Sequence, residues 1–135
     1  MAKRTRGYWA PSTKASSPAE AEKQAIIKAC EALIADFFKP QFLPKIEPTR
    51  WNYVIDIHGA WAGGRYRFMQ RYRSAMEHNK GEEFDAPFAR LDRVGPNRFD
   101  ICWMRHTGKW WRLYTGETLA EALHILKSDG ILHPH

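Results

Sequence analysis

RWNYVIDIHGAWAGGRYRFMQRYR, residues 50–73, decides how this chain is read, because its apolar period is two and not 3.6. In RWNYVIDIH, an extended backbone places Trp51, Tyr53, Ile55 and Ile57 on one face and Arg50, Asn52, Val54, Asp56 and His58 on the other. In RYRFMQRYR one face carries Arg65, Arg67, Met69, Arg71 and Arg73, and the opposite face Tyr66, Phe68, Gln70 and Tyr72. The glycine-rich GAWAGG between them reads as the turn of a hairpin. Both apolar faces must lie on one side of the sheet, which permits only registers that oppose odd with even numbers. The simplest sets Asp56 opposite Arg67, Asn52 opposite Arg71 and His58 opposite Arg65. The aromatic side then has a core to face, while the other side lines up four guanidinium groups.

Upstream of the hairpin the pattern is helical. Ser17-Pro18-Ala19-Glu20 has the form of a capping box with Pro at the first helical position. Ile26, Cys30, Leu33 and Phe37 follow on one stripe, and Pro40 stops the run, so a helix is predicted over about residues 18–38. Pro40, Pro44 and Pro48 make the connection to residue 50 extended. Residues 1–16, rich in Ser, Thr, Pro and Lys, read as a disordered basic tail ahead of one domain over 17–135. Downstream of the hairpin and a polar link, PFARLDRV, RFDICWMR and WWRLY read as three further strands, joined at Gly95-Pro96-Asn97 and at a tight turn on Thr107-Gly108. Thr118-Leu119-Ala120-Glu121 is a second capping box, opening a helix that Gly130 closes. The fold class is therefore α+β: a five-stranded antiparallel sheet flanked by an N-terminal and a C-terminal helix, with the strand order left open.

Length and composition bound the function. At 135 residues, 44% hydrophobic and 27% charged, the chain is one globular domain able to bury a core without disulfides or metals. Two distant cysteines, Cys30 and Cys102, with no C-x-x-C partner, argue against a disulfide scaffold or a structural zinc site and fit a reducing cytoplasm. MAKRTRGYWAPSTKASSP has basic residues with no apolar run behind them, so neither a signal peptide nor a membrane span is expected. The net charge of +6 is unevenly placed: residues 1–17 contribute +4, and ten of the twelve arginines fall within 50–114. Charge sits on a tail and a sheet, while the helices are mildly acidic.

A second constellation is RFDICWMRHTGKWWRLY. A tight turn sets Trp103 beside Arg112 and Arg105 beside Trp110 on one face, with Cys102, Met104, Trp111 and Leu113 on the other. Both faces are then substantially apolar, so either the two helices cover different faces, the favoured reading, or one face meets another chain. APFARL, FDICWMRHTGKWWRLY and TLAEALHILKSDG together resemble a family of small bacterial domains of unknown function over about residues 86–130, with Trp103, Arg105, Lys109 and Trp110 carrying the likeness. The resemblance implies a soluble bacterial protein and transfers no functional residue.

No motif names a reaction. Asp56 and His58 share a strand face near arginines, but no positioned nucleophile, phosphate loop or second carboxylate accompanies them, and they read as a surface ion pair. His133-Pro134-His135 lacks the further ligands of a zinc site, so no metal and no cofactor is assigned. What stands out is polyanion binding, with nucleic acid the first candidate: Arg65, Arg67, Arg71 and Arg73 on phosphates, supported by Arg50 and by Lys3, Arg4 and Arg6 of the tail. The alternative is a protein-interaction module, self-associating or docking an acidic partner through Met104, Trp111 and Leu113.

Overall fold

The computed structural model describes residues 18–134. Lys3, Arg4 and Arg6 and the predicted tail lie outside them. The chain runs as α1 (Glu20–Leu33), a π-helical turn (Ile34–Phe38), α2 (Lys39–Phe42), β1 (Asn52–Ala62), β2 (Arg65–Ser74), β3 (Glu83–Gly95), β4 (Arg98–Met104), β5 (Trp110–Glu117) and α3 (Leu119–Ser128). The strands form one antiparallel sheet in the order β1-β2-β3-β4-β5, so every neighbour in sequence is a neighbour in space. The predicted α+β architecture is the one observed.

The first helix begins later and ends later than its sequence signals. Ala19 is its N-cap, with no side-chain cap, and Pro40 does not end it. The reason lies in the π turn, where the Lys39 N–H donates to the carbonyl of Ile34, five residues back. The widened turn opens the space in which a proline ring otherwise meets the carbonyl four residues earlier, so Pro40 sits within the first turn of α2. At the other end the sequence signal holds in full: the Glu121 N–H donates to the Thr118 hydroxyl at 3.2 Å, and the Thr118 N–H donates to the Glu121 carboxylate at 2.9 Å.

The first hairpin pairs differently from the expectation. Its turn is Gly63-Gly64 alone, both at positive φ (59° and 78°), so Gly59, Ala60, Trp61 and Ala62 belong to β1. Asp56 therefore faces Arg71, His58 faces Met69, and Ala60 faces Arg67. A bulge between Val54 and Asp56 then breaks the strict alternation. Ile57, Gly59 and Trp61 share the face of Tyr66, Phe68 and Gln70, while Tyr53 lies beside Arg73 on the opposite face. The β4–β5 hairpin also departs, by one residue. The Arg105 N–H donates to the Lys109 carbonyl and the Gly108 N–H to the Arg105 carbonyl, with Gly108 at φ 80°, closing a three-residue loop. Trp103 consequently faces Trp111, Cys102 faces Arg112, and Met104 faces Trp110. A slip of one residue moves every side chain to the other face.

Both helices lie on the same face of the sheet, contrary to the sequence reading that placed them on different faces. Ile26, Cys30, Leu33 and Phe38 of the first helical run and Ala122, Ile125 and Leu126 of α3 join Ile57, Tyr66, Phe68, Phe88, Leu91, Phe99 and Ile101 of the sheet in one core. Polar ties fix the helices to it. Arg93 donates two hydrogen bonds of 2.9 Å to Glu22 of α1, and Tyr114 donates one of 2.6 Å to Asp129 just after α3. The second face carries charged side chains in place of an apolar layer. Among the described residues no helix is long and apolar enough to cross a membrane.

Candidate functional site

The arginine row of β2 exists, but it lies between β1 and β3, and β3 sets acids against it. Arg65 faces Asp92, Arg71 faces Asp85, and Arg73 faces Glu83. The closest approaches are 3.3, 3.1 and 2.9 Å. Arg67 faces Arg90 across β3 and Ala60 across β1, so no carboxylate stands opposite it. The hydrogen bonds that Arg71 donates to Asp85 and Arg73 donates to Glu83 raise the pKa values of both arginines above the ordinary guanidinium value. Arg50 precedes the strand and folds over the ring of its neighbour Trp51, 4.9 Å from the ring centroid. The structure thus gathers Arg65, Arg67, Arg71 and Arg73 on one face, as the alternation predicts, and neutralises three of them with residues whose register the sequence did not reveal.

Further along the same face the charges are buried. Asp92 is inaccessible and Arg90 nearly so, with Arg90 donating to Asp92 at 2.6 and 2.8 Å and its guanidinium lying 4.6 Å from the centroid of Trp110. Arg112 approaches Asp100 at 3.8 Å. The Cys102 thiol is pushed up to about 12, mainly by burial and secondarily by the nearby Asp92, which keeps it protonated and unreactive.

The three residues proposed as a partner surface do not form one. Leu113 is 3% exposed in the core, Trp111 packs against that core with Arg105 over its ring at 4.6 Å, and Met104 points to the opposite face. Asp56 and His58 also separate. Asp56 pairs with Lys39 of α2 at 3.1 Å, and His58 bonds Asp85 at 2.8 Å, an aspartate that Arg71 also holds. Burial pushes the Asp85 carboxyl up, but the bonds from Arg71 and His58 outweigh it and leave its pKa below the ordinary carboxylate value. His133, from the C-terminal histidine pair, packs near the rings of Phe37, Phe38 and Phe42 and donates to the carbonyl of Lys127 at 2.9 Å.

A concave feature lies elsewhere, along β1. A groove of about 510 Å³ runs between this strand and the first helical run. Ile27 and Glu31 of α1, with Ile34 and Ala35 of the π turn, form one wall; Ile57, Gly59, Trp61 and Tyr66 form the floor. Gly59 is the bare spot in that floor: the Tyr66 ring lies across it, where a Cβ would collide with the ring. Burial pushes the Tyr66 phenol up, so its hydroxyl stays protonated at the base of the groove. β1 is an edge strand, and among the described residues no backbone hydrogen bond reaches its outer side. The two-residue turn closes on Ala62 and Arg65, so alternate residues pair inward and the N–H and C=O of Gly59 and Trp61 point outward. The Ile57 N–H, on the same outer side, is taken by the Asp56 carboxylate at 2.9 Å. Sequence reasoning missed this site by reading GAWAGG as a turn. A glycine among strand residues, as a mark of close approach, was the signal available.

A family model described as a domain of unknown function (DUF3024) matches residues 18–134. Neither a curated protein nor a solved structure matches the chain.

Proposed function

The chain belongs to the DUF3024 family of domains of unknown function, and for it we propose a protein-interaction role at the edge of β1. The domain takes an extended polypeptide segment onto that edge, with alternate side chains of the segment entering the groove beneath α1. The observation that carries the reading is the coincidence of two features: an edge strand with outward-pointing backbone groups, and beside it a groove lined by Ile27, Ile34 and Trp61 together with Glu31 and Lys39. The π turn that supplies Ile34 and Ala35 to the groove is a helix defect of a kind often found at functional sites. A phage-displayed library of random peptides selected on the protein is the test. Apolar sequences of extended character should be enriched on the wild type and lost with Ala35→Trp, which fills the groove from an exposed helical position. Equal enrichment on the variant, or none on a wild type that sediments as a monomer, overturns the proposal.

Polyanion binding is the second reading. It is supported by Arg67, which has no carboxylate opposite it, and by Arg50 lying over Trp51, a side chain 58% exposed. Those two phosphate contacts alone correspond to a log–log salt slope of about −1.4 on single strands, and each tail cation that engages adds about −0.7. Fluorescence anisotropy of a labelled single-stranded oligonucleotide across a salt series measures the slope, and a flat response removes this reading.

A further inference from the structure

We propose that the segment taken up by β1 is β1 of a second copy, giving a two-fold dimer with a continuous ten-stranded sheet. This rests on the edge-pairing reading above. The partner is indicated by the way the open stretch of the strand is bounded and by what lies on it. At one end the Asp56 carboxylate plugs the outward N–H of Ile57, and at the other the chain turns away at Gly63-Gly64. The open stretch is therefore Ile57–Ala62, and the outward-pointing positions are 57, 59 and 61, with Gly59 at their centre.

An antiparallel pairing with its axis at Gly59 runs along this stretch as far as Ile57, whose N–H stays with the Asp56 carboxylate. The two Gly59 residues exchange N–H and C=O, and each Trp61 N–H meets the Ile57 carbonyl of the second copy. Side chains match by size. Ile57 comes opposite Trp61 of the second copy on the helix face, and His58 opposite Ala60 of the second copy on the other face. At the axis the Tyr66 ring of each subunit occupies the place that a Gly59 side chain would take. Each Trp61 then reaches over the groove of the other subunit, whose wall is Ile27 and Ile34. No residue of the stretch from 57 to 62 carries a formal charge, so no like charges meet across the axis. An antiparallel pairing of identical edges closes on itself, because the same patch serves both subunits.

Sedimentation velocity of the full chain over a concentration series tests the association, and disulfide trapping tests the register. His58 and Ala60 of the second copy would form a non-hydrogen-bonded pair, the geometry in which Cβ atoms come close enough for a disulfide. The double variant His58→Cys/Ala60→Cys should oxidise to a covalent dimer, and either single variant alone should not. The native Cys30 and Cys102 are buried and take no part. Ala35→Trp should shift the wild-type dimer to monomer while leaving the circular dichroism of the folded chain unchanged, with a lower Tm at concentrations where the wild type is dimeric. A monomer at all concentrations that still selects peptides through the groove overturns the dimer and keeps the edge reading. A monomer that selects none overturns both. A dimer that survives Ala35→Trp and does not cross-link in the double variant places the interface elsewhere and overturns the proposal.

Discussion

Two aspartates on the same face of β3 show how burial sets the worth of a charge. Asp92 is inaccessible and holds Arg90 and Arg65, so truncating it strands the buried Arg90 and leaves the half-buried Arg65 without this carboxylate. Asp92→Ala should cost about 3–5 kcal/mol of stability by urea denaturation. Asp85, with its side chain 33% exposed, also holds two partners, Arg71 and His58, yet Asp85→Ala should cost about 1 kcal/mol or less. Equal losses would mean that the buried cluster contributes no more than a surface pair. Gly59 offers a second residue-scale measurement. Gly59→Ala drives a methyl group into the Tyr66 ring and should cost about 1–3 kcal/mol. If that collision is the cause, the double variant Gly59→Ala/Tyr66→Ala should lose clearly less than the two single losses added together. Simple additivity would place the strain elsewhere.

At the scale of elements, the sheet is a meander whose pairings are set by turns, and α1 is tied to it through Glu22 and Arg93. The two hydrogen bonds from Arg93 hold the Glu22 carboxyl below its ordinary range, against a smaller opposing effect of burial. A carboxyl depressed in the folded state contributes stability that is full above its unfolded pKa, about 4.3, and is lost as pH falls through the lower folded value. Glu22→Gln should therefore lower stability by about 1–2 kcal/mol at neutral pH, with the gap to wild type closing as pH drops below about 4. Denaturant titrations at pH 7 and pH 3 would measure it, and a gap that stays constant would show that the carboxylate charge is not what fixes α1. The turns explain why element positions were readable and pairings were not. Alternation in RYRFMQRYR marks a strand from its side chains alone. Whether the preceding turn spans two residues or six depends on Gly63 and Gly64 both reaching positive φ, and GAWAGG leaves that choice open.

For the whole molecule, the two faces of the sheet divide the work of stability. One is apolar and covered by both helices, and the other carries arginines of β2 set against Asp92, Asp85 and Glu83 of β3. Residues 1–17 carry +4 of the net +6, which leaves only +2 for the rest of the chain. Long-range attraction to a polyanion is thus concentrated in the tail. A protein lacking residues 1–17 should show an oligonucleotide salt slope no steeper than about −1.4, because Arg50 and Arg67 are then the contacts left to it. A slope unchanged from the intact chain would assign the phosphate contacts to the sheet and restore the arginine row as a binding platform.

The sequence by itself determined what depends on neighbouring residues: the helices, the strands, the capping box at Thr118, the apolar stripe through Ile26, Cys30 and Leu33, and the alternation that puts four arginines on one side of β2. It could not determine which acids of β3 come opposite those arginines, that Trp111 and Leu113 turn inward while Met104 turns out, or that both helices share a face. Those outcomes hang on register, and register follows from the backbone of a few turn residues and from packing against segments distant in the chain. The open edge of β1 belongs to the same class. That Gly59 lies in a strand, beneath the ring of Tyr66 and beside the π turn of the first helix, is a fact of three segments meeting, and no one of them carries it alone.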